Sequence, residues 1–185
     1  MNTASLQAER AHLANLLEAV QRCVYFLEAT SSTVKWPLDG ADLKLRQKDQ
    51  PLFQSLAAFN ERFAKMQDTL GAVMRHSALL MGETTTPFLK VLSLFEKLGV
   101  IESVEVWQLC RTARNLAAHD YETSFDVIAG HFNELHTLVP ALVQAASRML
   151  ELCARSLDIL PATADFELEF RRVCSKFDGG NVPAA

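Results

Sequence analysis

Glycine and proline are scarce in this chain, seven and six among 185 residues. The long stretches between them are rich in Leu, Ala, Glu and Arg, a balance that favours helix over sheet. No run of about 18 or more apolar residues occurs, so no membrane span is expected. The opening "MNTASLQAERAHLANLLEAV" lacks the basic start and continuous apolar core of a secretory signal. Cysteine is sparse and scattered: Cys23, Cys110, Cys153 and Cys174 form no short pair. That is not metal-ligand spacing, and their helical, mostly apolar surroundings suit buried reduced thiols. These absences together point to a cytoplasmic protein. Positive charge is not in excess either; the formal net charge is -4. That disfavours broad coating of duplex nucleic acid and leaves room for a small local basic site. Internal repeats are absent, as are heptads long enough for a coiled coil.

What remains is the composition of an ordinary soluble domain, 49% apolar and 22% charged. The length suits one domain, placed at residues 1–178, with 179–185 as a frayed tail. From Thr3 to about Thr30, the positions Leu6, Leu13, Leu16, Leu17, Val20, Val24 and Leu27 recur at helical steps. Residues 30–50 carry Ser, Thr, Pro and Gly without a lasting period and read as a connection. Lys35, Lys44, Arg46 and Lys48 make a modest basic patch there, read first as a solvated loop. Pro51 suits the first turn of a second helix. That helix buries Leu52, Leu56, Phe59, Phe63, Met66, Leu70, Val73 and Met74, and runs to near Gly82. Gly71 inside it marks a kink or a close helix contact. A third helix starts at Thr86 before Pro87 and stops at Gly99, where Lys97 and Val100 fit a glycine C-cap. Ser103 caps a fourth, burying Val106, Trp107, Cys110, Ala113, Leu116 and Ala117. Thr123 and Asp126 form a capping box for a fifth, from Ser124 to about Leu157, which Pro140 kinks or splits. "ILPAT" breaks the chain again before a last short helix in "DFELEFRRVCSKF". The expected fold is all-α, an antiparallel up-and-down bundle of four to five main helices.

The fourth helix ends in "CRTARNLAAHDYETSFD", which crowds Arg111, Arg114, Asn115, His119, Asp120 and Tyr121 together. Residues four apart share a helix face, so Arg111, Asn115 and His119 line up. Arg114 and His119 are five apart, about 140° round a regular helix. They meet only where the helix ends or loosens, or where two copies face each other. On spacing alone the cluster reads first as a polar helix end, with arginine against the C-terminal dipole and His119 and Asp120 capping the turn. The chemistry for a site is nevertheless present. An imidazole takes and gives a proton near neutral pH. A guanidinium matches two phosphate oxygens at once. Neither group needs a metal or other cofactor, and the sequence shows no metal-ligand spacing.

"RNLAAHDY" resembles the motif of HEPN domains: an arginine, a polar residue, further residues to four in all, then histidine. The His-any-Tyr ending is similar to the HepT-like toxin branch. "NERFAKMQDTLG" and "FLKVLSLFEKLGVIESVEVWQLCRTARNLAAHDY" extend the likeness over roughly residues 50–125. The resemblance implies a HEPN-like homodimer in which two copies of the motif meet across a cleft, acting as a metal-independent endoribonuclease toxin on RNA. Arg114 would then neutralise the scissile phosphate, His119 would act as general base or acid, and Asn115 would orient one or the other. Tyr121 would accept adenylyl groups from a partner nucleotidyltransferase antitoxin, placing charge and bulk beside the site. Packing of Tyr121 over a helix end is the alternative.

Asp68, on the second helix, could face the motif or simply be solvated; Arg111 and Asp120 are the other supporting candidates. His12, His76, His131 and His136 are not at ligand spacing, and Cys110 reads as core rather than nucleophile. Two further readings stay open. One is a non-catalytic HEPN module that supports a nucleotidyltransferase; the other is a structural helical dimer with a polar helix end.

Overall fold

A computed structural model describes residues 3–117 and 124–177. Those residues form an all-α helical bundle of eight α-helices and one π-helical turn. The order is α1 (Thr3–Ser31), α2 (Gly40–Leu45), α3 (Gln50–Leu80), α4 (Phe88–Lys97), α5 (Val104–Ala117), α6 (Phe125–Thr137), α7 (Val139–Leu152), the π-turn Cys153–Leu157 and α8 (Glu167–Ser175). The count exceeds four to five because one helix is split and two short helices flank the longer ones. No described helix is long and apolar enough to cross a membrane.

The two longest helices, α1 and α3, pack along each other and carry the core. Leu13, Leu17, Val20, Val24 and Leu27 of α1 are fully buried, as are Phe59, Phe63, Met66 and Val73 of α3. This is the stripe that the three- and four-residue steps require. Leu6 of that stripe is 41% exposed, so the apolar face outruns its cover at the N-terminal end. His76 joins the same pair of helices, its Nε2 lying 2.9 Å from the Glu9 carboxylate.

Helix ends follow local chemistry. Asp49 caps α3 by accepting from the Leu52 N–H at 3.1 Å, with Pro51 in the first turn. Past α4, Gly99 at φ +70° lets its N–H reach the Glu96 carbonyl, and Val100 N–H reaches Phe95. Val100 is then buried, which completes the glycine C-cap with its apolar contact. Gly82, at φ +77°, closes α3 in the same way, with Glu83 N–H on Ala78. Ser103 Oγ accepts from Val106 N–H at 3.1 Å and starts α5. Thr86 does not cap α4; Pro87 stands at that N-cap with no side-chain hydrogen bond.

One expectation about organisation, the loop at 30–50, is corrected, and the break at Pro140 takes one of its two expected forms. The connection 30–50 contains α2, started by Asp39, whose carboxylate accepts from Asp42 N–H. It is helical because Leu43 and Gly40 are buried and α2 packs on α6, a distant partner that no local period announces. Arg46 is paired with Asp42 and Asp49, while Lys35, Lys44 and Lys48 are exposed. The fifth helix is two helices: α6 stops at Thr137 and α7 begins at Val139 with Pro140 in its first turn. Proline's missing N–H costs nothing there, so the break falls just before it. Ser124 is the N-cap of α6, without a side-chain bond, and Thr123 lies outside the described residues.

The chain beyond α7 is tied back rather than free. The π-turn closes through Ile159 N–H on Cys153, with Asp158 at φ +51°. Ala162 N–H donates to the Ala14 carbonyl and Arg10 to that of Asp158, fixing "ILPAT" to α1. Helix α8 packs on α1 and α7 through Phe170, Val173 and Cys174.

Candidate functional site

Helix α5 carries the motif because its sequence separates two faces. Trp107, Cys110, Ala113 and Ala117 are buried at three- and four-residue steps. Arg111 and Asn115, four apart, are exposed on the opposite face. Val106 is only half-buried and Leu116 is 36% exposed, so both sit at the edge of the core rather than within it.

Arg114 lies between the two faces and turns toward α3. Its Nη1 donates to the Ala64 carbonyl at 3.0 Å and to Asp68 Oδ1 at 2.8 Å. Asp68 therefore does face the motif. Among the described residues neither Nε nor Nη2 of Arg114 has an acceptor. The pair is anchored on the arginine side: the Arg114 side chain is 17% exposed and that of Asp68 65%. Solvent around Asp68 screens the attraction, which limits its stabilising effect to about 1 kcal/mol.

Two turns earlier along α5, the Trp107 carbonyl accepts from Gln67 Nε2 at 2.8 Å, a second link between α3 and α5. Gly71 faces the rings of Phe88 and Trp107 without being crowded by them. A Cβ there would lie 3.4 Å from Phe88 and 3.6 Å from Trp107, in contact with both rings. Of the kink or close contact that the sequence left open at Gly71, neither is pronounced: α3 runs through it as one helix, and a Cβ there would make ordinary contacts.

Between these elements runs a groove of about 240 Å³ bordered by Asp68, Arg75, Phe88, Trp107, Arg111 and Arg114. Arg75 sits over the Phe88 ring, 4.5 Å from its centroid. Neither Arg75 nor Arg111 belongs to an ion pair among the described residues. Three guanidiniums against one carboxylate make this a local cationic site in a chain whose net charge is -4. Such a groove can hold phosphate oxygens, with the flat rings of Phe88 and Trp107 beside them.

His119, Asp120 and Tyr121 lie outside the described residues. Of the expected site residues the structure brings together Arg114, Asp68 and Arg111, and it places Asn115 on solvent beside Arg111. Sequence reasoning missed Arg75 and Gln67. Arg75 was within reach, since it follows Asp68 by seven residues and so returns to the same face of α3. On the other flank of α5, His131 shares an apolar cavity of about 170 Å³ with Leu116 and Ala117.

The remaining titratable candidates are structural. Burial pushes the Cys110 thiol up to about 12, so it is no nucleophile. Cys153 is also raised by burial, and Cys174 is buried. Cys23 is only half-buried, at the edge of the α1–α3 seam rather than in the core. His136 stacks on Trp36 at 4.3 Å, and burial lowers its pKa. Among the described residues no three His, Cys, Asp or Glu side chains are grouped to hold a metal ion. Comparison of the chain with protein-family models, curated proteins and solved structures returns no match.

Proposed function

We propose that this chain is a HEPN-type endoribonuclease toxin that cleaves RNA without a metal and works as a homodimer. The observation that carries the reading is Arg114, held on α3 through Nη1 and bordering a groove that Arg75 and Arg111 also line. A phosphodiester entering there would meet the guanidiniums of Arg75, Arg111 and Arg114, the first two of which form no ion pair among the described residues. In this reading Arg114 neutralises the phosphate. His119 takes the 2′-hydroxyl proton or protonates the leaving 5′-oxygen, and Asn115 orients the reacting groups. The 2′-oxygen attacks phosphorus as the bond to the 5′-oxygen breaks, so no outside nucleophile is consumed. A partner nucleotidyltransferase antitoxin would silence the site by adenylylating Tyr121.

The test is purified protein incubated with RNA in chelator. Cleavage should fall by roughly 10²–10⁴-fold in His119→Ala, the range for loss of a general acid or base. Arg114→Ala should fall at least as steeply in rate at saturating RNA. Unchanged cleavage by both variants overturns the site. A mass increase of one or more adenylates on Tyr121, seen only when the nucleotidyltransferase is co-produced, tests the control step. Sedimentation of a monomer at micromolar concentration overturns the shared cleft.

A second reading is favoured by one detail: Arg114 already bridges two helices through Asp68 and Ala64, as a purely structural arginine would. The chain would then be a non-catalytic HEPN module supporting a nucleotidyltransferase. Stable co-purification with that partner, and no cleavage by the separated protein, distinguishes it.

A further inference from the structure

The segment between the π-turn and α8 closes a cavity that the motif does not use. It measures about 540 Å³, within the range of small-ligand sites. Gln21 of α1, 2% exposed, lies at its floor, and α7, α8 and residues 160–164 form its sides. The segment is fixed by the protein's own bonds. Ile159 N–H donates to the Cys153 carbonyl, Ala162 N–H to that of Ala14, and Arg10 to that of Asp158. A wall held in this way has little entropy left to lose on binding.

The lining has two characters. Leu150, Leu160, Pro161 and Phe170 make it apolar along one part, and Leu160 is exposed at the rim. The polar part has acceptors in excess. Glu167 is bonded to Arg171, whereas Glu151 belongs to no ion pair among the described residues. Two carboxylates against one guanidinium leave a single negative charge, and it rests on Glu151. Gln21 is the second, independent sign. Its Oε1 is buried without a hydrogen-bond partner. An unpaired buried acceptor is costly, and a donor supplied from outside relieves it. The last torsion of a glutamine is broad and two-fold, so the amide turns its oxygen toward the cavity at small cost. Both polar groups therefore call for donors, and one of them calls for positive charge. An ammonium carries three donors and no acceptor. The apolar lining calls for a hydrocarbon body behind that head.

We propose that the cavity between α1, α7 and α8 binds a small organic amine, its ammonium on the Glu151 carboxylate and the Gln21 amide oxygen and its apolar body against Leu150, Leu160 and Phe170. The proposal does not depend on the nuclease reading, because none of Arg75, Arg111 and Arg114 borders the cavity.

Calorimetric titration of the whole protein at pH 7 tests it with three probes of one shape: 2-phenylethylamine, 2-phenylethanol and phenylacetate. These are a cation, a neutral molecule and an anion. Spermidine, a cation without an apolar ring, is the fourth. Saturable binding of 2-phenylethylamine is expected, at least about tenfold tighter than that of the other three, because only it brings a charge-assisted donor and an apolar body together. Glu151→Gln should weaken the amine at least about tenfold and leave the alcohol unchanged. Glu151 is exposed, so the fold tolerates the change. Gln21→Leu should weaken the amine without lowering Tm, since it replaces an unpaired acceptor with an apolar side chain of similar size. A lower Tm with unchanged affinity would make Gln21 structural and overturn the proposal. Equal affinity for amine and alcohol overturns it too, as do spermidine binding as tightly as the amine, binding that survives Glu151→Gln, and the absence of saturable binding. Arg114→Ala should leave every affinity in place, which separates failure here from failure at the motif.

Discussion

Gly40 lets α2 touch α6, and a single methyl group there should separate them. An ideal Cβ on Gly40 would lie 2.0 Å from Asp126 Oδ1 and 2.7 Å from Asp126 Cα. The carboxylate can swing away, but the Cα belongs to the first turn of α6 and cannot. Gly40→Ala therefore forces the two helices apart, at a cost in the upper part of the about 1–3 kcal/mol range for overpacking. Less rigid backbone in the unfolded glycine chain offsets a fraction of about 0.5–1 kcal/mol. The net destabilisation is about 2 kcal/mol, and a domain of this size loses about 4–8 °C in Tm for it. Gly130, in α6, is the control: a Cβ there would meet nothing within 4 Å. The same substitution at Gly130 should raise Tm by about 1–4 °C through helix propensity alone. Thermal unfolding followed by circular dichroism, with urea titration for the free energy, reads both. If Gly40→Ala melts at or above the wild-type temperature, the close approach of α2 to α6 is wrong. A second pin holds the same interface, where Asn133 accepts from Leu38 N–H at 2.7 Å and donates to its carbonyl at 2.9 Å. Asn133→Ala should cost about 2 kcal/mol for two hydrogen bonds. Combined with Gly40→Ala it should cost less than the sum, because the two changes open one interface.

Other expected outcomes concern the motif and the buried groups. Asp68→Asn should cost no more than about 1 kcal/mol in urea unfolding, since the carboxylate is mostly solvated. If the groove holds phosphate, the same change should tighten RNA binding by removing the competing anion; weaker binding would speak against that role. Gln67→Ala removes the donor to a buried carbonyl and should destabilise by about 1–3 kcal/mol, checked by the same titration. His136 has a folded pKa below the ordinary value of 6.5, lowered by burial and opposed by Glu28. The unfolded chain therefore takes up a proton first as pH falls through that value, and stability should drop below about pH 6.5. Replacing His136 with Phe should flatten that slope; an unchanged profile would show that another group sets it. Cys110 and Cys153 should resist thiol reagents at pH 7 in the native protein and react fully in denaturant, because burial raises both thiols.

Much of the chain was legible because its signals are local. The caps at Ser103 and Gly99 need only neighbouring residues, and each formed where the residue types required. Pro51 likewise sits in the first turn of α3. Helix α2 was not legible: six residues have no period to read, and they are held by Asn133 and Asp126 from far along the chain. The split at Leu138 was half legible. Pro140 announced a break, yet whether a helix kinks or restarts depends on what packs against each half. At the motif, Arg111 and Asn115 share an exposed face as their spacing demanded. The partner of Arg114 was only one candidate among several surface carboxylates until Asp68 was placed 2.8 Å away.

By itself the sequence determined which of the longer segments are helices and which face of each is apolar, since both follow from steps of three and four residues. It also determined that the last turn of α5 carries an arginine where helical spacing alone cannot bring it to His119. Only the tertiary structure decided which surfaces meet: that Arg114 leans on α3, that Arg75 and Arg111 border the same groove, and that Gln21, Glu151 and Arg171 gather on another. Those pairings join residues distant along the chain, and they arise because apolar stripes can be buried only against one another. Where two stripes close, the charges at their margins are carried together. The grooves of this protein are those margins.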